Sequence, residues 1–106
     1  MTDKVLSMLS IAMKAGRVSS GETQVLNSIR SMEAFLVICA CDASDLTRKK
    51  FRDKSSFYQV PYVEYGDKAS LGRTIGRDLR SVVSVNDEGI ANNMIKRLEE
   101  AEIYGK

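Results

Sequence analysis

Apolar positions along the chain recur at helical and strand spacing in turn, and the alternation lays out an α-β-α-β-α-β-α-β-α order. From Asp3 to Ala15 the apolar residues are Val5, Leu6, Met8, Leu9, Ile11, Ala12 and Met13. The pairs 5/9, 8/12 and 9/13 lie one helical turn apart, which predicts an amphipathic helix with a wide buried stripe. Gly16 ends it, since glycine accepts the left-handed conformation after a last turn, and Arg17–Ser20 leaves room only for a very short strand. Ser19-Ser20-Gly21-Glu22 has the spacing of a capping box. The second helix it introduces runs to about Ser31, with Val25, Leu26, Ile29 and Met32 inward and Thr23, Gln24, Asn27 and Arg30 outward.

Phe35-Leu36-Val37-Ile38-Cys39-Ala40-Cys41 is apolar without alternation, the pattern of a central strand covered on both faces. Asp42-Ala43-Ser44-Asp45 supplies cap and turn chemistry, and Leu46 to about Phe57 reads as a third, more polar helix. Val60–Tyr65 is a short strand whose Pro61 suits its start or a sheet edge, because proline has no N–H to donate. Asp67 caps a fourth short helix whose Leu71 and Ile75 lie four apart, and Gly76 stops it. Ser81–Val85 is the last strand. Asn86 or Asp87 caps the final helix, packed through Ile90, Met94, Leu98 and Ala101. This order predicts an α/β fold: a three-layer α/β/α sandwich with a four-stranded mixed sheet and five helices. With 106 residues and no linker, repeat or low-complexity segment, one domain spanning 1–106 is expected.

Charge adds a direction. The net formal charge is only +2, but residues 1–80 carry 13 Lys/Arg against 9 Asp/Glu while residues 81–106 carry 3 against 5. A basic body with an acidic last segment presents one positive face to an anionic partner, although an ordinary solvated surface has the same composition. The chain has no histidine, which removes Ser-His-Asp triads, Cys-His pairs and the common zinc sites. Cys39 and Cys41, two apart in the apolar run, read as buried small hydrophobes on one strand face in a reducing compartment. Polar residues interrupt every apolar stretch well short of the roughly 18 residues a membrane span needs. With no signal peptide ahead of the first helix, a cytoplasmic location is expected. No metal and no cofactor are expected.

Three local features carry weaker readings. Arg48-Lys49-Lys50-Phe51-Arg52-Asp53-Lys54 is the densest basic run, and over residues 50–54 it reads as a solvated helix face with Phe51 turned to the core; a second contact to a nucleic-acid backbone is the alternative. Gly72-Arg73-Thr74-Ile75-Gly76 lacks the Lys-Ser/Thr of a nucleotide-binding loop and lies within a helix rather than after a strand. Glu99-Glu100 and Glu102 read as a solvated face.

Several stretches, in order along nearly the whole chain, resemble the ribosomal protein L-seven-Ae family, which recognises kink-turn RNA. They are Ser10-Ile11-Ala12-Met13-Lys14-Ala15-Gly16-Arg17, Ser20-Gly21-Glu22-Thr23-Gln24-Val25-Leu26, Val60-Pro61-Tyr62-Val63, Leu71-Gly72-Arg73-Thr74-Ile75-Gly76 and Asp87-Glu88-Gly89. The match is closest to its short bacterial ribosomal-protein-like members. The resemblance implies a non-enzymatic protein that binds structured RNA with tandem G·A pairs, a partner that is ribosomal or ribosome-associated. A monomer is the expected state. The second helix would meet the G·A pairs through Gly21, Glu22, Thr23, Gln24 and Asn27. Arg77, Asp78 and Leu79, in the loop after the fourth helix, would cover flipped-out bases. Ser44 and Arg48 would border the pocket for an extruded base, and Lys68 would approach the backbone.

The chemistry suits those positions. A helix amino terminus offers unpaired N–H groups and about half a positive charge. Regular A-form RNA hides its base edges in a deep groove, so reading sequence requires a kink, bulge or loop. Gln24 and Asn27 each donate and accept, as exposed base edges require. Leu79 offers a stacking surface or, alternatively, enters the next strand facing the core. The chain departs from the family pattern at Thr23-Gln24 and at Asn27, where a lysine is usual. The missing charge implies weaker kink-turn affinity or a shifted RNA preference, which Arg77 and Arg80 would offset through phosphate contacts. The alternative function is a protein-interaction module on the same fold, with weak or lost kink-turn recognition.

Overall fold

The computed structural model describes residues 3–101. Its elements follow the expected order: α1 (Lys4–Lys14), β1 (Val18–Ser20), α2 (Glu22–Arg30), β2 (Leu36–Cys39), α3 (Asp45–Phe57), β3 (Tyr62–Glu64), α4 (Lys68–Thr74), β4 (Val82–Val85) and α5 (Glu88–Glu100). The four strands form one mixed sheet in the order β1-β4-β2-β3. β4 runs antiparallel to β1 and β2, and β2 runs parallel to β3. α2 and α3 pack together on one face, while α1 packs with α4 and α5 on the other. The two central strands are therefore buried along their whole length, which is why β2 reads as continuously apolar. Pro61 immediately precedes the edge strand β3 and contributes only its carbonyl, which accepts from the Val37 N–H at 2.9 Å.

Helix ends follow from local chemistry. Asp3, Ser44, Asp67 and Asp87 cap α1, α3, α4 and α5 with side-chain oxygens. α1 to α4 all close with paired backbone bonds characteristic of a Schellman turn. Glycine fills its left-handed position after α1 and α4 (Gly16, Gly76), but Met32 and Gln59 fill it after α2 and α3, with φ of 63° and 58°. Met32, expected inward, is instead 68% exposed, because that turn carries it off the buried face of α2.

Other expectations shift for similar reasons. The predicted capping box at Ser19–Glu22 does not form, and the N-cap is Gly21. Ser19 and Ser20 are strand residues paired with Ser84 and Val83. The Ser19 hydroxyl is bound instead to Ser28 at 2.7 Å and accepts from the Asn86 amide at 3.0 Å. Of the two cysteines only Cys39 is buried. The strand ends there, and Cys41 lies in the exposed turn that follows, so the expected two-residue alternation no longer applies. Ile11 and Ala101 are exposed. Phe51 is fully buried, which fixes the outward direction of the basic run around it.

Candidate nucleic-acid interface

Strand register decides what meets at the interface. Ser20 lies opposite Val83, and Cys39 opposite both Val82 and Glu64. The carboxyl ends of β1, β2 and β3 and the amino end of β4 thus share one edge of the sheet, and α2, α3 and α4 all start from it. Residues 21–27, 44–48, 68 and 77–80, scattered in sequence, occupy this end.

The start of α2 differs from the other helix starts. Gly21 has φ 87° and ψ 157° and supplies no side-chain cap. Its N–H is used by the Val82 carbonyl at 3.0 Å, but the N–H groups of Glu22, Thr23 and Gln24 have no acceptor among the described residues. A β-carbon at Gly21 would meet nothing within 4 Å, so the positive φ, rather than crowding, is what requires glycine. Thr23, Gln24 and Asn27 are exposed, and their side chains make no hydrogen bond among the described residues. The Glu22 carboxylate turns sideways to α3, accepting from Thr47 Oγ1 at 3.1 Å and pairing with Lys50 at 3.5 Å.

At the start of α3, Ser44 caps the helix: its hydroxyl accepts from the Thr47 N–H at 3.1 Å and donates to Thr47 Oγ1 at 3.0 Å. Arg48 is held within the protein. Its guanidinium pairs with Asp45, lies 3.5 Å from Glu64 and donates to the Ala43 carbonyl at 3.1 Å. Lys49, Lys50 and Arg52 pair with Asp53, Glu22 and Glu64. The densest basic run of the sequence is therefore largely neutralised by neighbouring acids.

The uncompensated cations at this end lie elsewhere. Lys68, Arg77 and Arg80 make no ion pair among the described residues. The Lys68 N–H donates to Asp42 Oδ1 at 2.8 Å, and the Lys68 carbonyl accepts from the Arg80 N–H at 3.0 Å, tying the 77–80 loop to the start of α4. Arg77 and Asp78 are exposed, and Leu79 is 59% exposed, so Leu79 does not face the core. Leu46, in the first turn of α3, is 80% exposed and was not singled out by sequence. Its signal is that it falls outside the row of Phe51 and Ser55, which are the buried positions of α3. The links from Glu22 to Thr47 and Lys50 were likewise invisible, because they join residues more than twenty positions apart.

The cavities of about 290–440 Å³ are lined by other parts of the molecule, chiefly α1, α5 and the turns after α2 and α3. No described helix is long and apolar enough to cross a membrane.

A family model described as "Ribosomal protein L7Ae/L30e/S12e/Gadd45 family" matches residues 3–95. The chain belongs to this family. Within it, the chain is similar to "RNA-binding protein YlxQ" of Bacillus subtilis (strain 168), with 45% identity over 87% of this chain and 92% of the relative. It is also similar to the protein of the same name from Enterococcus faecium, with 36% identity over 91% and 92% of the two chains. Among solved structures, a protein of unknown function from Bacillus halodurans C superposes with a TM-score of 0.89 at 35% identity, covering 92% of this chain and 99% of that one. The Giardia lamblia 15.5kD RNA binding protein shares the fold, with a TM-score of 0.79 at 21% identity over 94% and 92% of the two chains.

Proposed function

We propose that this family member is a non-enzymatic RNA-binding protein that recognises kinked, kink-turn-like structured RNA through the sheet end where α2, α3 and α4 begin. The observation that carries this reading is the start of α2: three unpartnered N–H groups beside three exposed, unengaged polar side chains, Thr23, Gln24 and Asn27. Such a surface matches the exposed base edges of a G·A-paired kink. Gly21 and Glu22 complete it. Arg77, Asp78 and Leu79 cover an unstacked base, Ser44 and Arg48 border its pocket, and Lys68 meets the backbone. Support also comes from relatives whose names describe RNA binding and from a relative at 29% identity named as large ribosomal subunit protein eL8 of Thermoplasma volcanium. A cytoplasmic, monomeric protein acting on ribosomal or ribosome-associated RNA fits this reading.

The deciding experiment titrates the protein into a labelled kink-turn RNA and a matched duplex at two salt concentrations. Selective binding to the kinked RNA, reduced by Gln24→Ala and Leu79→Ala, is expected. Equal binding to both RNAs, or none, would reject kink recognition and leave the interaction-module reading.

A further inference from the structure

We infer that Arg80, rather than the better-placed-looking Arg48, is the arginine through which this sheet end grips an RNA phosphate. The inference rests on the RNA-binding reading above and assigns one contact within it. Both arginines belong to the same end of the sheet, and both are partly buried. Their surroundings are opposite. Arg48 has its charge answered inside the protein by Asp45 and Glu64, and an external phosphate would have to compete with two carboxylates. Arg80 has no carboxylate within ion-pair distance among the described residues.

Arg80 is nonetheless held in place. Its Nε donates to the Ser20 hydroxyl at 3.4 Å and its Nη1 donates to the Leu79 carbonyl at 2.8 Å. Its backbone N–H is fixed to Lys68. Both side-chain acceptors are neutral, so they orient the guanidinium without cancelling its charge. A guanidinium carries five N–H donors in a rigid fork; with one on Nε and one on Nη1 used, the second donor of Nη1 and both of Nη2 remain for an outside acceptor. A partly desolvated cation is costly without a counter-charge, and the geometry supplies none from within. Ser20 is the residue immediately before Gly21, so the Nε bond holds the guanidinium beside the start of α2. Lys68 and Arg77, also unpaired, extend the same positive surface. A phosphodiester oxygen pair is the acceptor that a rigid, oriented fork matches best.

The test measures affinity for a labelled kink-turn RNA across a salt series for the wild type, Arg80→Gln, Arg80→Lys and Arg52→Gln. Arg52 is a surface cation of α3 paired with Glu64 and serves as the charge control. Arg80→Gln is expected to bind about tenfold more weakly and to flatten the slope of log affinity against log salt by about 0.7–0.9, the loss of one phosphate contact. Arg80→Lys is expected to keep the wild-type slope but lose several-fold in affinity, because the point charge lacks the fork. A wild-type slope in Arg80→Gln overturns the assignment, as does an equal loss in Arg52→Gln. A wild type that binds no kinked RNA defeats the RNA-binding reading itself, and this contact with it. If Arg80→Gln fails to fold, Ser20→Ala releases the guanidinium while keeping its charge. Weaker binding at an unchanged slope then supports the proposal, and wild-type affinity overturns it.

Discussion

Gly72 and Asp78 touch through the backbone: a β-carbon on Gly72 would fall 1.5 Å from the Asp78 carbonyl oxygen. The contact follows from the turn that closes α4, where the Arg77 N–H donates to the Gly72 carbonyl at 2.8 Å and folds residues 77–79 back over the helix. Glycine within a helix costs about 0.5–1 kcal/mol against alanine. Here the missing side chain is what seats the Leu79 loop. Gly72→Ala is therefore expected to destabilise the protein by about 1–3 kcal/mol, as overpacking does, despite its better helix propensity. A lower urea midpoint, with RNA affinity reduced beyond what Leu79→Ala alone produces, would bear this out.

Asn27 stands exposed on the outer row of α2 with its amide unengaged, where the family pattern places lysine. Asn27→Lys adds a cation that no neighbouring acid neutralises within the described helix face. Affinity for a kink-turn RNA is expected to rise several-fold, with the salt dependence steeper by about 0.7–0.9 in the logarithmic slope. Unchanged affinity and slope would show that this row does not face the RNA.

The Ser55 hydroxyl is buried and has no hydrogen-bond partner among the described residues. Burying an unsatisfied polar group costs about 1–3 kcal/mol, and the hydroxyl is only slightly larger than the hydrogen that replaces it in alanine. Ser55→Ala is expected to raise stability by about 1 kcal/mol, read as a higher urea midpoint at unchanged slope. A loss of stability would instead reveal a packing role for the oxygen.

Tyr65 donates its hydroxyl to Asp3 Oδ2 at 2.7 Å. Burial, reinforced by that carboxylate, pushes its phenol up to about 12 from about 10 in an unfolded chain. A folded-state value above the unfolded one means the folded protein holds the proton more tightly. The resulting stabilisation is complete below about pH 10 and is lost as pH rises toward about 12. Tyr62 shifts in the same direction, chiefly from burial. Denaturation midpoints measured from pH 8 to 12 should therefore fall less steeply in Tyr65→Phe than in the wild type; identical profiles would remove Tyr65 from the pH dependence.

The sequence by itself determined the element order, the helix cap at Asp67, the narrowing of the last cap to Asn86 or Asp87, the central position of β2 and the inward turn of Phe51. Each depends on periodicity or on chemistry within four residues, and such patterns survive in one dimension. It also carried the family through motifs in register, and with them the set of residues that gather at one end of the sheet. Only the tertiary structure decided how those residues are used. Ser19 caps no helix because a strand and Asn86 claim it, and Cys41 is exposed because β2 stops at Cys39. Above all, Arg48 and Arg80 look alike in sequence, yet Asp45 on the same helix and Glu64 on β3 neutralise the first while the second meets only neutral oxygens. Whether a charge is spent inside the protein depends on which acids lie within about 4 Å, and that distance is set by folding between residues far apart along the chain.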